Sequence, residues 1–237
     1  MEERRAVANE DVWVVVPTFN EAPMVGTVVR GLRESFPRVV GVDDGSIDGS
    51  DAEIRAAGGV VVRHPINLGA GAALQTGVEF ALHDPGMRYV VTFDADGQHR
   101  VADAVGMVAR IREAPVQVII GSRFLGVDSH GMTASRRWLL RVATVFERVT
   151  SGVRLTDAHQ GLRVFDREFA TILDLRTPDM GWASEFLDRM GSHHTPFEEY
   201  PVRVAYTEYS RGKGQRSMNS INIGVDVLIN RILRGHR

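Results

Sequence analysis

Short runs of valine and isoleucine recur through the first half of the chain, and each is followed by a stretch with helical spacing. The strands read as "VWVVVP", "RVVGVD", "VVVRH", "RYVVTF" and "VQVIIGS". Between them lie "EAPMVGTVVRGLRESF", with Pro23 near its start, "SDAEIRAAGG", closed by Gly58 and Gly59, "GAGAALQTGVEFALHD" and "VADAVGMVARIRE". Strands of four to six residues that are apolar throughout are buried on both faces, which is how parallel strands under helices read. The alternation therefore predicts an α/β fold with a doubly wound, mostly parallel sheet flanked by helices.

After Phe124 the rhythm changes. "TASRRWLLRVATVFERVTSG" reads as a long amphipathic helix, "GLRVFDREFATILDL" as a short strand entering a helix and "GWASEFLDRMG" as a further helix. "EEYPVRVAY" reads as a strand and "SMNSINIGVDVLINRILR" as a terminal helix. With no repeat, low-complexity tract or linker, one elaborated domain is expected. A chain of 237 residues with 43% hydrophobic and 24% charged residues can bury a core of its own.

In such a sheet, ligands gather outside the carboxyl ends of the strands. Those ends carry Pro17, Thr18, Phe19, Asn20 and Glu21, then Asp43 and Asp44, then Asp94, Ala95 and Asp96, then Ser122 and Arg123. Acids at three ends and an arginine at the fourth mark a site. Two carboxylates one residue apart, on a bend permitted by Gly97, suit a hard divalent cation held together with a diphosphate. A cation so placed acts as a Lewis acid on a leaving phosphate. Gln98 offers a neutral oxygen ligand, and Arg123 a fork for phosphate.

Other features exclude classes of function. No cysteine is present, which removes disulfides, thiolate catalysis and cysteine zinc sites and suits a reducing cytoplasm. The formal net charge of −2 gives no reason to expect a nucleic-acid partner. "GAGAAL" lacks the third glycine and the preceding strand of a dinucleotide fingerprint, so its small residues are read as close helix packing on the sheet. His193 and His194 have no neighbouring ligands in the sequence and are read as a solvated pair. "MEERRAVANEDV" lacks the hydrophobic region of a signal peptide, and no apolar run approaches the roughly 20 residues of a spanning helix. From Arg203 onward, Arg211, Lys213, Arg216, Arg231, Arg234 and Arg237 face only Glu208 and Asp226. A cytoplasmic protein with peripheral contact to the inner face of a membrane is the expectation.

The segments "VVVPTFNE", "VGVDDGSIDGS", "HPINLGAGAALQTGVEFA", "VTFDADGQH", "IIGSRF", "DAHQGLRVFDRE", "GWASEFL" and "YTEYSRGKGQ" occur in the order found in family 2 inverting glycosyltransferases of the GT-A fold. The chain resembles these enzymes over nearly its whole length, and among them the polyprenol-phosphate hexosyltransferases of the dolichol-phosphate-mannose synthase type. The resemblance implies one GT-A domain over 1–237, with a nucleotide-binding half over 1–125 and an acceptor-binding half over 126–237. It implies a nucleotide-diphosphate sugar donor, a polyprenyl phosphate acceptor and Mg²⁺ or Mn²⁺ as cofactor. Pro17, Phe19 and Glu21 would line the nucleotide pocket, and Asp43 or Asp44 would bind base or ribose. Asp94, Ala95 and Asp96 form the Asp-x-Asp motif, with Asp94, Asp96 and Gln98 as metal ligands. Arg123 and Arg137 would meet donor or acceptor phosphate, and Arg211 and Lys213 would sit on a loop closing over the diphosphate.

Two departures bear on the acceptor. Many membrane-linked relatives carry transmembrane helices where this sequence reads as one amphipathic helix, with Ile221, Val225, Leu228, Ile229 and Ile232 near helical spacing. The loop also reads Gly-Lys-Gly-Gln where such synthases usually have Gly-x-Ser-Lys. The alternative is a same-fold enzyme acting on a polysaccharide or other hydroxyl acceptor. That chemistry needs a general base, for which Glu185, then Asp157, is the candidate. A phosphate acceptor instead needs cations, which Arg136, Arg137 and Arg141 would supply from one helix. A nucleotidyltransferase or a non-enzymatic nucleotide-binding module fits less of the pattern.

Overall fold

The computed structural model describes residues 9–126, 134–177 and 181–205. Among them lies one seven-stranded sheet in the order β3-β2-β1-β4-β6-β5-β7. The strands are β1 (Val12–Thr18), β2 (Arg38–Asp43), β3 (Val60–Arg63), β4 (Tyr89–Thr92), β5 (Val118–Ser122), β6 (Arg163–Asp166) and β7 (Phe197–Pro201). The helices are α1 (Ala22–Arg33), α2 (Ser50–Ala56), α3 (Ala70–Leu82), α4 (Val101–Glu113), α5 (Ala134–Ser151), α6 (Arg167–Ile172) and α7 (Trp182–Ser192). Each stretch expected to be strand or helix in the described residues is found as such. α1 carries its proline in the first turn, where a missing N–H costs nothing.

The apolar runs bury both faces as their composition requires. Val12, Val14 and Val16 point into a core shared with α1, α2 and α4, while Val15 points into the core under α3, α6 and α7. α3 packs close to the sheet because it is lined by small residues. A Cβ on Gly77 would lie 2.2 Å from Val15 Cγ1. Gly77→Ala should therefore cost about 1–3 kcal/mol by overpacking, read as a fall of several degrees in thermal unfolding. An unchanged melting temperature would mean that the helix can lift without penalty.

Strands β1 to β4 run parallel, with Thr18 beside Asp43 and Val15 beside Thr92. β6 runs antiparallel to both β4 and β5. Two reversals bring β5 back into line with β4, so the ends of β1, β2, β4 and β5 share one edge of the sheet. β6 enters from that same edge, which places the residues just before it among the strand ends.

β7 is shorter than the sequence pattern suggests. Pairing with β5 reaches Ser122 and Pro201, after which the chain turns across the edge. Arg203 N donates to Asp103 Oδ2 at 2.8 Å, Val204 bridges His99, and Ala205 N donates to Gln98 O at 2.9 Å. The chain thus runs antiparallel along the Gln98–His99 loop before entering the basic segment. No helix among the described residues is long and apolar enough to cross a membrane.

Candidate active site

A cleft of about 420 Å³ opens at the shared edge of the strand ends. β1 supplies Pro17, Thr18 and Phe19, and α1 begins beyond Glu21. The end of β2 supplies Asp44, the end of β4 Asp94, Ala95, Asp96, Gln98 and His99, and the end of β5 Arg123. His159, Gln160 and Gly161 enter from the turn before β6, Leu140 from α5 and Trp182 from α7. The cleft lies next to β1, where the strand order changes direction, the usual place for a ligand in an open α/β sheet.

The Asp-x-Asp segment is held firmly. Phe93 N donates to Val15 O at 3.0 Å, which extends the sheet pairing past Thr92. Gly97 then takes φ 74°, and Gln98 N donates to Asp96 Oδ1 at 3.0 Å to close the bend. The ring of His99, itself buried, lies with Nε2 2.7 Å from Asp94 Oδ2. Asp94 also lies where a Cβ on Gly161 would be, 2.6 Å from its Oδ2.

These contacts split the two carboxyl groups. Burial works to raise Asp94, but the charge and hydrogen bond of His99, with Arg163 and Arg123 behind, hold it below the usual carboxylate range. His99 answers in kind: burial opposes its charge, yet Asp94 raises it above the ordinary imidazole value. Asp96 is pushed up to about 6, first by burial and then by the charge of Asp94. A carboxyl held up in this way gains by the arrival of a cation. Among the described residues no three histidine, aspartate or glutamate side chains gather as a closed metal cage. Two carboxylates beside an open cleft match a hard cation that takes its remaining ligands from phosphate and water.

On the β1–β3 side the loops are interlocked. Asp44 accepts from Leu68 N at 2.8 Å, Gly69 N at 2.8 Å and the ring of His64 at 2.7 Å. Asp43 is fully buried, accepts from Ser46 N at 3.0 Å and pairs with Arg63 at 3.3 Å. On the β5 side, Arg123 meets Asp157 through two parallel bonds, at 2.6 and 2.7 Å, and both groups are buried. Glu199 of β7 fixes the turn beneath, accepting from Thr156 N, Thr156 Oγ1 and Asp157 N.

The sequence profile of glycosyl transferase family 2 matches residues 13–173, from β1 through α6. The chain belongs to this family. The UDP-N-acetylglucosamine–dolichyl-phosphate N-acetylglucosaminyltransferase of Methanococcus voltae is 26% identical over 92% of this chain and 94% of its own length. The polyprenol monophosphomannose synthase of Mycolicibacterium smegmatis is 28% identical over 88% of this chain and 82% of its own. Among solved structures, glucosyl-3-phosphoglycerate synthase from Mycobacterium tuberculosis, determined with Mn²⁺ and UDP-glucose, superposes with a TM-score of 0.65 at 20% identity. It covers 92% of this chain and 80% of the synthase, and carries the fold.

The glycosyltransferase brings Pro17, Phe19, Glu21, Asp44, Asp94, Ala95, Asp96, Gln98 and Arg123 together in one cleft. Three expected residues are placed differently. Asp43 is not among the lining residues, and it serves the β2–α2 turn instead. Glu185 too is outside the lining, and its Oε2 accepts from Arg176 N and Thr177 N at 2.8 and 2.9 Å. Asp157 is taken up by Arg123. Arg137 belongs to α5, but its side chain, with that of Arg136, lies outside the described residues, as do Arg211 and Lys213. Arg141 is exposed, its guanidinium 5.7 Å from the centre of the Phe124 ring.

His99, Gly161 and Glu199 were not anticipated as site residues. His99 stands beside Asp94 because the Gly97 bend folds the chain back, a consequence of one glycine in "DADGQH". Gly161 and Glu199 reach the site only through the antiparallel placement of β6 and the neighbouring β7. Gly161→Ala should drive a methyl group into the Asp94 carboxylate and lower transfer at least tenfold with the fold intact. Retained activity would show that Asp94 can swing aside without consequence.

Proposed function

We propose that the cleft binds a nucleotide-diphosphate sugar through a divalent cation on Asp94 and Asp96 and transfers the hexose, with inversion, to a polyprenyl phosphate. The placing of Asp94 and Asp96 together at the edge of the cleft, on the bend that Gly97 closes, carries this reading. Bound there, Mg²⁺ or Mn²⁺ would neutralise the diphosphate and make it a better leaving group. Gln98 donates its amide to Asp96, and half a turn of the amide would offer Oε1 to a cation on the same side. Phe19, 43% exposed, lines the cleft, where its ring would meet the base.

The acceptor follows from what the described acceptor side can do. A hydroxyl acceptor needs a base close to the anomeric carbon. Asp157 is fully engaged, and Glu185 is tied to backbone amides outside the cleft. His159 lines the cleft, and burial lowers it to about 4, so at neutral pH it faces the substrate as an uncharged imidazole. A phosphate monoester is already an anion and attacks without help. Its oxygen bonds to the anomeric carbon from the face opposite the diphosphate, and the carbon–oxygen bond to the diphosphate breaks with its electron pair on the leaving group. The names of the two relatives above, which act on dolichyl phosphate and polyprenol, point to the same acceptor class. Cationic partners would come from Arg137 and from the basic segment that follows Ala205, where the chain leaves the Gln98 loop.

The test is transfer from UDP-N-acetylglucosamine, UDP-glucose or GDP-mannose to a polyprenyl phosphate in wild type, Glu185→Gln and Arg137→Ala. The expected result is transfer by wild type and Glu185→Gln and loss in Arg137→Ala. Activity confined to a hydroxyl acceptor would overturn the reading, as would loss in Glu185→Gln alone.

A further inference from the structure

β6 carries an anomaly for a central strand. Arg163, in register with Thr92 on one side and Ile120 on the other, is fully buried and points to the same face as Phe165. A buried guanidinium normally has a carboxylate on it, because an isolated charge in the interior is costly. Arg163 has none: among the described residues it forms no ion pair, and its Nη1 lacks a hydrogen-bond partner. An apolar side chain would satisfy this strand better, so local sequence and fold disagree here, as happens at functional positions.

What Arg163 does touch is informative. Nε donates to Gln160 O at 3.1 Å and Nη2 to Ala158 O at 3.2 Å, which staples the turn that carries His159, Gln160 and Gly161 into the cleft. The guanidinium lies 4.5 Å from the ring centre of Trp182 and 4.3 Å from that of Phe186, both on α7. Cation–π contact of this kind holds a desolvated cation without neutralising it. One side chain therefore joins two walls of the cleft, the turn before β6 and Trp182. Its charge is felt by three carboxylates that it does not contact, those of Asp157, Asp94 and the buried Glu147.

We infer that Arg163 is a positioning residue for transfer, setting the Ala158–Gly161 turn and Trp182 against Asp94 without touching the substrate. This rests on the reading of the cleft as the donor site. Fold-only and functional roles differ in a measurable way. Methionine fills a similar volume and removes the desolvation cost of a buried charge that has no ion pair, which offsets the two carbonyl hydrogen bonds it gives up. Arg163→Met should keep its melting temperature within a few degrees of wild type while kcat falls at least tenfold and the KM for the nucleotide sugar changes less than threefold. Arg163→Lys keeps the charge under the rings but cannot staple both carbonyls, and should lose at least fivefold in kcat at unchanged melting temperature.

Both transfer and metal-dependent hydrolysis of the donor are measured, with whichever of UDP-N-acetylglucosamine, UDP-glucose or GDP-mannose wild type accepts. If wild type hydrolyses donor but does not transfer to polyprenyl phosphate, the acceptor assignment fails and hydrolysis still decides the role of Arg163. If Arg163→Met does not fold, Arg163→Lys decides alone. The inference is overturned if Arg163→Lys stays within twofold of wild type, or if the activity of Arg163→Met falls only in proportion to its folded fraction.

Discussion

Asp96→Asn should lower transfer about a thousandfold or more, and should raise the melting temperature of the metal-free protein at pH 7. The two effects have one cause. In the folded chain the Asp96 carboxyl titrates at about 6, above its ordinary 3.8, because burial and Asp94 both oppose its charge. Between pH 4 and 6 the folded state then holds a proton that the unfolded chain has released. By linkage, ionised Asp96 weakens the fold at pH 7, and the penalty fades as pH drops through 6 towards 4. A shift of this size corresponds to a penalty on the order of 3 kcal/mol. Asparagine removes the charge and so the penalty, which should appear as a gain of several degrees.

The measurement is thermal unfolding of wild type and variant, in chelator, at pH 7 and at pH 4.5. The advantage of the variant should be clear at pH 7 and shrink at pH 4.5. Added Mg²⁺ or Mn²⁺ with a nucleoside diphosphate should stabilise wild type and leave Asp96→Asn little changed, since only a ligand that binds the native state shifts the transition. A variant that is less stable at pH 7, or one that retains transfer in the presence of metal, would remove Asp96 from the site.

The donor half was legible because its signals are local. A parallel strand buried on both faces must be apolar throughout, so "VWVVVP" and "VQVIIGS" declare themselves, and the residue types at their ends declare the site. Gly97 after Asp96 is likewise a local sign, a left-handed turn that lets two carboxylates face one cleft. The second half was legible as elements but not as contacts. Nothing in "DAHQGLRVFDRE" says that β6 runs antiparallel between β4 and β5, and only that placement brings Gly161 against Asp94. Glu185 shows the same limit. Its helix was readable from spacing, but that its carboxylate would accept from the amides of Arg176 and Thr177 depends on how the preceding loop folds over the start of α7. Arg163 was hidden for a further reason. A charged residue in a strand is read as solvent-facing by default, and burial of this one depends on Trp182 and Phe186 arriving from α7.

Asp157→Ala is expected to destabilise the protein more than any other single change considered, by about 3–5 kcal/mol. Its carboxylate takes both arms of Arg123, and the pair is nearly inaccessible to water. Removing the acid takes the bidentate carboxylate from a buried guanidinium and the Asp157 side chain from the turn that Glu199 organises. For a chain of this length the loss amounts to roughly 6–20 °C in melting temperature. Arg123 also lines the cleft, so a structural and a phosphate-binding role must be separated. The double variant Arg123→Met/Asp157→Leu removes both charges together and should recover most of the stability lost in Asp157→Ala, because no charge remains unpaired. If Arg123 meets phosphate, the double variant will be folded and inactive. A melting temperature within about 2 °C of wild type for Asp157→Ala would deny the pair its structural role, and full transfer by the double variant would deny Arg123 its part in the reaction.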